Sequence, residues 1–185
     1  MSAPPNRFAL PRLPDLYSEL RRGRHLCPED GDLYALLDER PQDYIDLFSA
    51  IGYQLTRHRR GFYYLTSGAQ SSDQMQRIAV FYFVLFDHLA DRFGSVTDAL
   101  FQRTFPASEL PHFFTERYTL LMEEAKLPSL EALQPFLRRL ESLGFLSIEN
   151  DTIRFRSPSA RFLDMCVDLA NTPPAADEAG TETPE

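Results

Sequence analysis

The 185-residue chain has no tryptophan, a single lysine, two cysteines and eight glycines, and several of these scarcities exclude a class of protein. Cys27 and Cys166 stand far apart beside apolar neighbours. They have no spacing signature, so they make no disulfide framework and fit reduced, buried thiols in a cytosolic protein. The most apolar stretch, residues 78–86, is too short to cross a bilayer. Residues 1–12 are proline-rich without a long apolar run, so no signal peptide is expected. There is no glycine-rich phosphate loop, nucleophile elbow or paired metal motif. His25 and Cys27 lie two apart, but no second pair completes a four-ligand site. His88 reads as a hydrogen-bonded core histidine, His112 as a helix-surface residue, and Glu123-Glu124 as a solvated face. No catalytic residue, metal or cofactor is expected.

Strong positive charge is lacking too. The formal net charge is −8, and the lysine-free, arginine-free segment 171–185 holds Asp177, Glu178, Glu182 and Glu185, leaving −4 for the rest. A stand-alone basic DNA binder is excluded; any nucleic-acid contact must come from local patches. Apart from Lys126 every basic residue is Arg, whose planar fork suits phosphates and carboxylates. Arginine codons of a GC-rich genome account for the same bias.

What is present is a core. Apolar residues make up 43% of the chain, with 15 Phe and 8 Tyr, which predicts a globular protein. Residues 1–12 and 171–185 read as disordered tails. Helical spacing predicts a helix over 14–22, a second over 32–39 and a third from Pro41 to Gly52 with Tyr44, Ile45, Leu47, Phe48 and Ile51 inward. Period-two alternation over 53–65 around Arg59-Arg60-Gly61 predicts a hairpin with a basic tip. The order then recurs. A capping box at Ser71 and Gln74 opens a helix to about Arg92, apolar nearly all round and needing cover on several sides. A short helix from Ser95 follows, then a helix over 108–125 with Leu110, Phe113, Phe114, Tyr118, Leu121 and Met122 inward. A helix over 130–143 should kink or restart at Pro135. A hairpin around residues 149–151 and a last helix over 161–169 complete the chain. The expected fold is mainly α with small β-hairpin wings: two tandem winged-helix domains, 13–68 and 69–170.

Two basic clusters stand out. Arg138 and Arg139 lie on the helix before the second wing, and Arg154 and Arg156 share one strand face opposite Ile153 and Phe155. Arg161 follows. These five form the candidate DNA-binding set, a phosphate-binding arrangement for a winged helix. Arg21, Arg22, Arg24, Arg57, Arg59 and Arg60 form a secondary patch around the first wing. Ordinary solvated arginines paired with nearby acids are the competing reading of both.

Three segments carry a resemblance to a known family. Residues 19–26, Glu-Leu-Arg-Arg-Gly-Arg-His-Leu, resemble the L-R-x-G-R-H-I segment of MukE-type proteins. Residues 52–57 leading to Gly61-Phe62-Tyr63-Tyr64-Leu65 are similar to that family's first wing, and residues 137–145 to its L-x-R-L-x-x-L-G-M segment. The middle, residues 71–128, matches only in helical character and the chain is shorter than MukE, and both points favour the smaller MksE branch of MksBEF condensins. The resemblance implies tandem winged helices, homodimerisation, and binding of a kleisin (MksF/MukF-like) that bridges to an SMC ATPase (MksB/MukB-like). It implies no enzymatic activity, a cytoplasmic, nucleoid-associated location, and a role in chromosome organisation or plasmid defence. The DNA contact would be sequence-independent. Two other readings compete: a dimeric winged-helix transcription regulator on a palindromic operator, and an enzyme in an unfamiliar helical fold. The first should aim several base-reading side chains from its recognition helix, where residues 130–143 offer mainly Gln134, Arg138 and Arg139.

Overall fold

The structure, a computed structural model, describes residues 10–66 and 72–171, the side chains of Ser72 and residues 169–171 excepted. The predicted tails, Ser71 and the expected domain boundary lie wholly or mostly outside these residues. Among them the protein is mainly helical, with small antiparallel strand groups.

In the first half, α1 (Leu13–Arg21), α2 (Asp32–Glu39) and α3 (Pro41–Ala50) precede β1 (Gln54–Arg57) and β2 (Tyr63–Thr66), which pair antiparallel with Leu55 opposite Leu65. Leu26 bridges to Tyr63 and adds a third line to this small sheet. Leu16, Leu20, Leu37, Tyr44, Phe48 and Tyr63 are buried together. The helical ones sit at the predicted spacings, except that Ile51, just past α3, is exposed and leaves the expected stripe.

The second half opens with α4 (Ser72–Arg92) and α5 (Val96–Gln102), then β3 (Phe105–Pro106), α6 (Glu116–Glu124), α7 (Leu130–Ser142), β4 (Leu146–Glu149), β5 (Thr152–Phe155) and α8 (Ala160–Asn171). Ser95 caps α5 as expected, its Oγ accepting the Asp98 N–H at 3.2 Å. The strands order β3-β5-β4, with Phe105 opposite Ile153. The β4–β5 turn places Asn150 and Asp151 both at positive φ, the turn whose twist suits a two-residue hairpin. Ile153 and Phe155 are buried and Arg154 is exposed, so the predicted register holds there.

Three expectations fail locally. The helix over 108–125 is broken: two 3-10 turns, Ala107–Glu109 and Pro111–Phe113, precede α6, which starts after the Thr115 cap. Pro111 has no N–H to continue an α-helix, and Thr115 Oγ1 accepts from Tyr118 N–H at 3.2 Å. The changed path turns Phe114 outward and buries His112 against Phe81, ring to ring at 4.2 Å, instead of leaving it on a surface. Conversely the helix does not restart at Pro135: α7 is one helix, with Leu133, Leu137 and Leu140 buried. His88 is only half-buried, its Nε2 facing Arg92 at 3.3 Å.

The apolar run of α4 finds most of its cover within the chain. Ile78, Phe81, Tyr82, Val84, Leu85 and Phe86 are buried, and Phe83 is exposed. Tyr82 stacks on Phe162 at 4.8 Å, and its hydroxyl donates to Ser159 Oγ, which donates to the Phe145 carbonyl, each at 2.7 Å. A buried hydroxyl keeps a partner by this relay.

Candidate nucleic-acid interface

The two halves meet at a seam built on His25, in the segment after α1. Its N–H donates to the Leu143 carbonyl at 2.8 Å. Its ring packs against Phe145 (4.5 Å), Tyr64 (5.3 Å) and Phe62 (5.9 Å). Nε2 faces Arg161 Nη1 at 3.1 Å, and Nδ1 faces the Gly23 carbonyl at 3.1 Å. A guanidinium only donates and a carbonyl only accepts, so the proton sits on Nδ1. Burial, reinforced by the Arg161 charge, pushes His25 down to about 3, and it is neutral at neutral pH. Gly144, at φ +84°, lies so close that a Cβ there would fall 2.4 Å from the His25 carbonyl oxygen. Two of the segments that carry the family resemblance, 19–26 and 137–145, are thus opposite sides of one contact.

Two carboxylates tie the seam. Asp30 is buried and takes Arg24 at 2.7 Å from its own half and Arg156 at 2.9 Å from the other. Burial pushes its pKa up, but the Cys27 N–H and the two arginines outweigh that and hold the carboxyl below its usual range. On α8, Asp164 receives Arg59 at 2.6 Å and His58 Nε2 at 3.2 Å from the β1–β2 hairpin. Burial outweighs the Asp164 attraction and lowers the His58 pKa, so His58 donates as a neutral ring while its Nδ1 accepts the Arg60 N–H. Arg60 lies over the Phe101 ring at 5.7 Å. The basic tip of the β1–β2 hairpin is therefore docked on the second half.

These contacts redistribute the expected basic sets. Arg138 is exposed, paired with Glu141 at 3.1 Å on its own helix. Arg139 is exposed, donating to Ser142 Oγ at 3.3 Å and to the Arg22 carbonyl at 3.5 Å. Arg154 is exposed on β5, with no acidic partner among the described residues. Arg156 does not share its face: it lies past the end of β5, with a side chain only 11% exposed in the Asp30 pair. Arg161 is recessed over the Tyr64 ring at 4.3 Å, where burial lowers its pKa. The shared outward face expected of Arg154 and Arg156 is thus corrected, because the opposing half supplies a carboxylate. In the first cluster Arg21 and Arg22 are exposed, Arg24 is committed to Asp30 and Glu19, and Arg57 pairs with Asp38 at 3.1 Å. Asp30, Asp164 and Tyr64 escape sequence reasoning; the R-G-R-H and L-G-F segments are the signal that could have located the seam.

No group of three or more metal-ligating side chains assembles among the described residues. Burial pushes the Cys27 thiol up, away from the reactive thiolate. Among the same residues no helix is long and apolar enough to cross a membrane.

Compared with known proteins, residues 11–167 match the family model described as condensin complex protein MksE. No curated protein matches the chain. The chain belongs to the MksE family of condensin complex proteins.

Proposed function

We propose that this condensin accessory subunit is non-enzymatic and built of tandem winged helices, 13–68 and 69–170. In this reading it dimerises, binds the kleisin that bridges to the SMC ATPase, and touches DNA without reading its sequence. The architecture is supported by recurrence: α1, the Leu26 bridge, α2, α3 and the β1–β2 hairpin repeat as α5, β3, α6, α7 and the β4–β5 hairpin. The observation that carries the DNA contact is the exposure of Arg138, Arg139 and Arg154 on α7 and the wing behind it, in a chain of negative net charge. A backbone contact explains these bases better than operator recognition, because the exposed face of α7 offers few base-reading side chains. Arg156 is committed to Asp30 at the seam, and Arg161 is recessed there, so neither is on the exposed face of Arg138 and Arg154. The role is chromosome organisation and segregation, or defence against plasmids.

The test uses the assembled SMC–kleisin complex. Arg138→Glu with Arg154→Glu should leave assembly intact, weaken DNA binding and lower DNA-stimulated ATPase activity. Removing two phosphate contacts should reduce the salt slope of affinity by about 2. A variant that assembles and holds DNA as tightly as wild type across salt concentrations would make this face merely solvated. Dimerisation is supported by the exposed apolar residues Phe83, Phe114 and Leu120 in the second half. Light scattering should report about twice the 21.3 kDa chain mass, and a monomer at every concentration would refute it.

A further inference from the structure

Residues from both basic clusters, 117 positions apart in the chain, meet in one recess where α4 and α7 face the end of α1. The recess holds about 110 Å³. Arg22, Arg139 and Arg161 line it together with the Gln74 side chain, over an apolar floor that includes Met75 and Phe145. Among the described residues that line it there is no carboxylate. Each guanidinium is held in place by a different means. Arg161 rests on the Tyr64 ring and donates to neutral His25. Arg139 reaches across from α7 to the Arg22 carbonyl at 3.5 Å. Arg22 has Glu19 at 3.6 Å, a carboxylate shared with Arg24 at 3.4 Å.

Three cations converging on a partly dehydrated recess repel one another. An anion that bridges them relieves this, and the number of its oxygens decides which anion fits. A carboxylate has two oxygens and satisfies one fork. Free phosphate or a terminal phosphomonoester carries up to two charges and at least three strong acceptor oxygens, enough to address all three guanidiniums and the Gln74 amide. We propose that this recess is a phosphoryl-binding site formed jointly by the two halves. Its ligand is a phosphate group, supplied either by free phosphate or by the terminal phosphate of a nucleic-acid strand. The free-phosphate form stands apart from the DNA contact of Arg138 and Arg154; the strand-end form rests on the DNA reading.

A ligand that binds the native state raises apparent stability in proportion to the logarithm of its concentration over Kd. Thermal unfolding and calorimetric titration of the full chain with inorganic phosphate are therefore compared with chloride and glutamate at equal ionic strength. Phosphate should raise the Tm saturably while the controls do not. Losing one fork should weaken binding about tenfold, so Arg22→Gln with Arg139→Gln should abolish the effect. Both side chains are exposed, so the double variant should keep the wild-type circular dichroism. If it does not, broadening of the ³¹P resonance of phosphate by wild-type protein, reversed by excess pyrophosphate, replaces it. A short 5′-phosphorylated oligonucleotide forms the second arm: binding lost in the double variant, with no response to phosphate, assigns the strand end as the source. That arm is separate from the DNA face, since Arg138→Glu with Arg154→Glu should leave phosphate binding unchanged. Glutamate acting as well as phosphate, or neither phosphate nor oligonucleotide depending on Arg22 and Arg139, overturns the proposal.

Discussion

Gly144→Ala should be among the most damaging single-methyl changes in the protein, and its cost can be built up from the seam. At φ +84° any residue with a Cβ loses about 1–2 kcal/mol relative to glycine. The added Cβ would also stand 2.4 Å from the His25 carbonyl oxygen, a backbone atom that cannot rotate away. Relief requires separating segment 23–26 from 143–145. That stretches the 2.8 Å bond from His25 N–H to Leu143, worth about 1 kcal/mol net. It also loosens the packing of His25 against Phe145, and overpacking of this kind costs about 1–3 kcal/mol. The sum is about 3–6 kcal/mol. Gly52 supplies the control: its φ is +82°, but an added Cβ would meet nothing within 4 Å. Gly52→Ala should therefore lose only the backbone part, about 1–2 kcal/mol. Urea unfolding of the two variants, read as the midpoint shift at unchanged m-value, isolates the close approach. The difference should be at least about 2 kcal/mol, given the added bond and packing terms. Equal losses would show that the seam yields without cost and that the reasoning is wrong.

Acid should destabilise the protein well above the carboxylate range. His25 and His112 are buried neutral, held by burial at about 3 and about 4, against about 6.5 unfolded. The unfolded chain takes up the protons first, so stability is full above about pH 6.5 and falls as pH drops toward the folded values. Between pH 7 and 5 the loss should be about 2 kcal/mol per histidine by urea unfolding; a flat profile would contradict their burial. The Asp30 carboxyl is depressed when folded, so its contribution is present above about pH 4 and disappears below it. Asp30→Asn should cost about 3–5 kcal/mol at pH 7 and flatten the most acidic part of the profile; a loss confined to surface scale would dissolve the Arg24–Asp30–Arg156 tie. Phe155→Ala should cost about 3–5 kcal/mol while Arg154→Ala stays within about 0.5 kcal/mol, and the opposite order would mean a shifted β5 register.

The sequence alone determined what depends on neighbours along the chain. The spacing of Leu133, Leu137 and Leu140, the Ser95 cap and the alternation of Ile153, Arg154 and Phe155 each encode a local period or turn that tertiary packing then uses. Those signals located most of the helices and both hairpins. The segments 19–26 and 137–145 also carried the family resemblance. What only the tertiary structure decided is which charges face solvent. Arg154 and Arg156 look alike as letters two residues apart, yet one is exposed and the other is held by Asp30, which lies 126 positions away. Two-residue spacing indicates a shared face only while the strand continues, and β5 ends at Phe155. His112 was misplaced for a related reason: Pro111 and Thr115 interrupt a helical period that the apolar residues alone continue. Strand β3 is only two residues long, too short for any alternation, and is defined by its pairing with β5. The seam itself has no periodic signature, because His25, Gly144, Asp30 and Asp164 each meet residues from the opposite half, far away in the chain. Their role follows from which surfaces the folded chain brings into contact.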